Sequence, residues 1–86
     1  VSRYRIEYSG LAAASRKAMP PDYRARFEKE MARTLGTDPY GHGSDPAGNP
    51  QERDRRTATI AGAVVRYYVT GGLDLVVTAV RILHRH

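Results

Sequence analysis

The sequence predicts an α+β fold in the order β-α-α-β-β-β, a helical hairpin packed on one face of a small, mainly antiparallel sheet. Three observations predict it. Residues 3–8 alternate polar and apolar with period two, two helix-compatible segments meet at Pro20-Pro21, and three β-rich runs follow residue 54. Early helices followed by a strand meander place both helices against one side of one sheet. The 86 residues amount to a single domain, 1–86.

In RYRIEY (3–8), Tyr4, Ile6 and Tyr8 share one face and Arg3, Arg5 and Glu7 the other, as in a half-buried strand. Ser9-Gly10 ends it, with Ser9 as N-cap of an Ala-rich helix over 11–19. Pro20-Pro21 breaks that helix, and Pro21-Asp22 opens a second. Tyr23, Phe27, Met31 and Leu35 recur every four residues and form its core stripe, with Gly36 as its stop. Residues 36–54 hold four Gly and three Pro and read as a long loop. RRTATI (55–60), AVVRYYVT (63–70) and LDLVVTAVRIL (73–83) read as strands joined at Ala61-Gly62 and Gly71-Gly72.

Twelve Arg and two Lys face nine Asp and Glu, a net charge of +5. Arg-rich basic surfaces suit phosphate or acidic partners, because the planar guanidinium donates two parallel hydrogen bonds. No cysteine is present, which excludes disulfides and thiolate metal sites and suits a cytoplasmic setting. No apolar run approaches the roughly 20 residues of a membrane span, and Val1–Glu7 has no signal-peptide character. His84-x-His86 offers too few ligands for a metal site, His42 reads as a loop residue, and no phosphate-cradling glycine motif occurs. No metal, small-molecule cofactor or membrane partner is expected.

Two-residue turns at Ala61-Gly62 and Gly71-Gly72 would fix the strand register. Arg66 would then pair with Val77, and Val64 with Ala79. Val65, Tyr67 and Val69 would lie under the helices with Val76, Thr78, Val80 and Ile82. Val64, Arg66, Tyr68, Val77, Ala79, Arg81 and Arg85 would take the other face, joined by Arg55, Thr57 and Thr59. Arg55, Arg66, Arg81 and Arg85 thus converge on an uncovered face around Tyr68, a ring suited to base stacking. Arg53, Arg55 and Arg56 form a short basic run before it. Leu73, Leu75 and Val77 make the same face partly apolar, as at a protein interface.

YRIEYS (4–9), the helical hairpin, Asp38-Pro39, RRTATIAGAVVRYYVTGG (55–72) and the closing LHR (83–85) together resemble the RelE/ParE superfamily of toxins from bacterial toxin–antitoxin systems, with the RelE-like branch favoured. The resemblance spans nearly the whole chain. It implies a toxin neutralised by a cognate antitoxin and acting as an endoribonuclease (an mRNA interferase) on the ribosome and its mRNA, without metal. The alternative it implies is a non-catalytic member that acts by binding, as a DNA gyrase inhibitor or a weakened toxin held by its antitoxin. On the nuclease reading Arg85 and Arg66 stabilise the phosphate and His84 or His86 handles a proton. Arg53, Arg55, Arg56, Tyr68 and Arg81 then contact RNA. The sequence departs from the family pattern at Val64, where an arginine is expected, and at Thr57, where a basic residue is expected. Arg66, roughly 6.6 Å further along the strand, is the substitute for the missing arginine. His84 and His86 are similar to a terminal His-Tyr pair of some members, with histidine where tyrosine would stand.

Overall fold

The computed structural model describes residues 3–41, 43–46, 54–71 and 75–83. Its elements are β1 (Arg5–Tyr8), α1 (Gly10–Lys17), α2 (Pro21–Thr34), β2 (Asp45–Pro46), β3 (Arg55–Ile60), β4 (Ala63–Thr70) and β5 (Val76–Leu83). The strands form one five-stranded sheet in the order β1-β5-β4-β3-β2. β1 runs parallel to β5 and every other pair is antiparallel. The expected α+β architecture is therefore present, with one addition. Asp45 and Pro46, inside the segment read as loop, pair with Thr57 and Arg56 as a two-residue edge strand. Two residues carry no periodicity, so the sequence could not announce them.

The helices cover one face. Phe27, Met31 and Leu35 are fully buried, with Tyr23 packed against them, as the four-residue spacing requires. They meet Ala58, Ile60, Ala63, Val65, Tyr67, Val69, Val77, Ala79 and Ile82 from the sheet, while Tyr4, Ile6 and Tyr8 close the β1 side. Pro21 starts α2 in its first turn, and Leu35 caps it one residue before Gly36. The Gly36 carbonyl accepts from the backbone N–H groups of both Arg3 and Tyr4 at 2.8 Å, tying the end of α2 to the start of β1. Ser9 does occupy the N-cap position of α1, but its hydroxyl makes no cap bond. It donates instead to the Val80 carbonyl at 3.2 Å.

The β3–β4 hairpin has the expected two-residue turn. Ala61 (φ 50°) and Gly62 (φ 84°) both lie in the left-handed region, the signature of a type I′ turn. Glycine adopts this conformation freely, whereas alanine is strained in it. The Tyr23 hydroxyl donates to the Ala61 carbonyl at 2.8 Å and fastens the turn to α2.

The β4–β5 register corrects the expectation. Pairing begins at Thr70↔Val76, so five residues, 71–75, separate the strands where two were expected. The shift is odd in register, so Val77 and Ala79 turn into the core and Thr78 moves to the open face, while Val76 is buried but outside the main cluster. A bulge then restores the expected parity. Tyr67 pairs with Ala79 and Arg66 with Arg81, leaving Val80 as the extra residue. Arg81 and Ile82 consequently lie on the faces foreseen for them.

Candidate nucleic-acid interface

The sheet face opposite the helices is built in rows across the strands. One row runs Arg81, Arg66, Thr57 and Asp45, from β5 to β2. A second runs Glu7, Thr78, Tyr68 and Arg55, from β1 to β3. A third, beyond the first, runs Leu83, Val64 and Thr59. Arg55, Arg66 and Arg81 are exposed, so three cations from three adjacent strands share one surface. Tyr68 stands among them with 38% of its surface open.

Arg66 and Arg81 are directly opposed. Such pairs bring side chains within about 4.5–5.5 Å at Cβ, and like charges there are destabilising. Among the described residues, no carboxylate pairs with Arg66 or Arg81. A shallow cavity of about 160 Å³ lies beside them, lined by Arg55, Arg66, Tyr68 and Val80, with Arg56 and Tyr67. Glu7 is held at the far margin by Arg5, at 3.2 Å.

Arg56 has a different fate from its neighbour Arg55. Strand alternation sends it to the helix-covered side, where it is 8% exposed. Its Nε donates to Ser44 Oγ at 3.0 Å, and its Nη2 to the carbonyls of Ser44 (3.1 Å) and Tyr40 (3.4 Å). The guanidinium also sits over the Tyr40 ring, 5.4 Å from its centre. Nearby, the Tyr67 hydroxyl donates to the Pro39 carbonyl, and burial raises its pKa above the ordinary tyrosine value. Tyr40 in turn donates to Asp54 at 2.5 Å. Arg56, Tyr40 and Tyr67 thus pin the segment after α2 against the sheet.

No protein-family model matches the sequence, and neither does any curated protein. The three-dimensional comparison does find a match. A chain of the toxin–antitoxin complex RelBE2 from Mycobacterium tuberculosis superposes with a TM-score of 0.72 over 99% of this chain and 100% of that one, at 21% identity. The fold is RelE-like. The resemblance drawn from the sequence is therefore borne out for the fold.

Within this RelE-like fold, the expected convergence of Arg55, Arg66, Arg81 and Tyr68 is what the geometry brings together. The Arg56 guanidinium is turned away from them, onto Ser44 and Tyr40. Arg53, His84, Arg85 and His86 lie outside the described residues. The apolar part of the open face is formed by Val64 and Leu83, which are 40% and 51% exposed. Val77, expected there, is in the core instead, and Leu73 lies outside the described residues. Glu7, Thr78 and Asp45 belong to this face without having been foreseen. Glu7 was legible from its alternation in β1. Thr78 needed the true β4–β5 register, and Asp45 needed β2.

Proposed function

We propose that this chain is the toxin of a toxin–antitoxin pair, an endoribonuclease that cuts mRNA on the ribosome at the open face of its RelE-like fold. The observation that supports this most strongly is the Arg66–Arg81 pair. Two opposed guanidinium groups repel each other in the free protein and become favourable when a phosphate accepts hydrogen bonds from both. Flanked by Arg55 and by the Tyr68 ring, they form a seat for a phosphodiester with a base stacked beside it.

On this reading the ribose 2′-oxygen attacks the adjacent phosphorus and the bond from phosphorus to the 5′-oxygen breaks. The products are a 2′,3′-cyclic phosphate and a 5′-hydroxyl. Arg66 and Arg81 stabilise the added negative charge of the pentavalent phosphate. Arg85, two residues beyond Leu83 in the sequence, completes that stabilisation. His84 and His86 take the proton from the 2′-hydroxyl and return one to the leaving oxygen. Arg55 and Arg53 hold the neighbouring backbone, whereas Arg56 serves the fold. A cognate antitoxin, the ribosome and mRNA are the partners, and the cytoplasm is the setting. The toxin–antitoxin complex found as structural neighbour supports the antitoxin partner. No helix among the described residues is long and apolar enough to cross a membrane.

Primer extension on mRNA incubated with programmed ribosomes and the purified protein tests the reading. Discrete cuts in the ribosomal A site, absent on naked RNA, are expected. Their absence with folded protein would move the assignment to a second reading, a binding protein of the same fold. Val64 supports that alternative, because with Leu83 it places an apolar pair where the family pattern calls for a cation. Inhibition of gyrase supercoiling without RNA would identify one such role.

A further inference from the structure

The position of Arg81 depends on one extra residue in β5. Tyr67 pairs with Ala79, yet its neighbour Arg66 pairs with Arg81, so Val80 has no partner on β4. Had the ladder run on through Val80 without a bulge, Val80 would oppose Arg66 and Arg81 would oppose Val65, which is fully buried under the helices. The bulge therefore turns a guanidinium from the core side to the open side. It also lets Val80 line the cavity beside Arg55, Arg66 and Tyr68.

A bulge interrupts the ladder and leaves backbone groups to be satisfied elsewhere. Here the Ser9 hydroxyl does so, while the Ser9 backbone N–H continues the parallel β1–β5 ladder beside it. The Ser9 backbone N–H donates to the Ala79 carbonyl at 2.8 Å, and the Ser9 hydroxyl donates to the Val80 carbonyl at 3.2 Å. Ser9 sits at the N-cap of α1 in extended backbone (φ −70°, ψ 173°), the conformation from which serine ordinarily caps a helix. Its hydroxyl is committed to the bulge instead.

We propose that Ser9 is a positioning residue for the anion seat, its hydroxyl clamping the Val80 bulge so that Arg81 is held beside Arg66. The RNA consequence rests on the open-face reading above, while the clamp itself does not. Ser9 touches no substrate, and its effect passes through Val80 to Arg81.

The test compares wild type with Ser9→Ala, Ser9→Thr, Arg81→Ala and the Ser9→Ala/Arg81→Ala double variant. Binding of a labelled single-stranded RNA oligonucleotide is followed across a salt series. Loss of one phosphate contact lowers the slope of log affinity against log salt by about 0.7. Arg81→Ala and Ser9→Ala are both expected to show that drop. Ser9→Ala should bind about two- to tenfold more weakly, the weight of one hydrogen bond. Ser9→Thr restores both values, and the double variant is no weaker than Arg81→Ala alone. A staple serving only the fold would change the folded fraction and leave the slope intact, which overturns the proposal. Amide hydrogen exchange without RNA gives a second arm. Protection across residues 79–82 falls in Ser9→Ala and is retained in Ser9→Thr, and unchanged protection in Ser9→Ala refutes the clamp. If wild type itself shows no salt-dependent RNA binding, the RNA reading fails and the exchange arm alone decides the clamp.

Discussion

The two faces of the sheet treat arginine in opposite ways. On the helix-covered side, Arg56 is buried and donates to Ser44 and Tyr40. On the open side, Arg66 and Arg81 oppose one another with no carboxylate partner among the described residues. A cation that is desolvated and bonded holds structure, and its removal leaves acceptors without donors. A cation set against a like charge destabilises the free fold, and on the proposed function an external anion relieves that cost. The same residue type is thus structural on one face and available for binding on the other.

Substitutions sharpen this contrast, and the core beneath α2 sets its scale. Phe27 is fully buried among sheet residues, so Phe27→Ala should cost about 3–5 kcal/mol in urea unfolding. A loss under 1 kcal/mol would mean that the helices do not hold the sheet as described. Arg56→Ala should cost about 1–3 kcal/mol by the same measurement, because the carbonyls of Ser44 and Tyr40 lose their donor. Arg66→Ala should stay within about 0.5 kcal/mol of wild type or become more stable. If Arg66→Ala proved the more damaging of the two, the division between faces would collapse.

The strained turn gives a smaller effect of opposite sign. Ala61→Gly should stabilise by about 0.5–1 kcal/mol, because glycine accepts the positive φ that alanine resists. The Tyr23 bond uses the backbone carbonyl and survives the change. Equal or lower thermal stability would show that the turn is not type I′ in solution.

Tyr8 supplies a pH test on the covered side. Burial pushes its pKa up to about 12 from 10, against an opposing pull from Arg16, whose guanidinium lies 4.7 Å from the ring centre. The native state therefore retains a proton that the unfolded chain releases near pH 10. The associated stability is present below pH 10 and is lost as pH rises toward about 12. Tyr8→Phe should lose less stability than wild type across that window, as read by urea midpoints at successive pH values. Parallel curves would place Tyr8 in solvent.

How far the sequence carries the account depends on what each residue signals locally. The β3–β4 register was legible because a two-residue turn fixes pairing, and Arg55↔Tyr68 and Thr57↔Arg66 follow from it. The helix stripe was legible from spacing alone. The β4–β5 register was not, because Gly71-Gly72 marks the start of a longer connection rather than the whole of it. Arg81 reached its foreseen face through two departures that cancel, the longer connection and the Val80 bulge. A bulge leaves no composition signal, and a valine in a strand reads like any other. The position of Arg56 was available from strand alternation. Once Arg55 is assigned to the open face, its neighbour belongs to the other.

The central claim is that the open face binds RNA through Arg66 and Arg81, and affinity measured beside stability tests it most directly. Binding of a single-stranded RNA oligonucleotide across a salt series, with thermal unfolding recorded on the same samples, is compared for wild type and Arg66→Ala/Arg81→Ala. The account predicts a salt slope smaller by about 1.4, two contacts at about 0.7 each, with the thermal midpoint unchanged or raised. An unchanged slope and affinity in a folded double variant would contradict it.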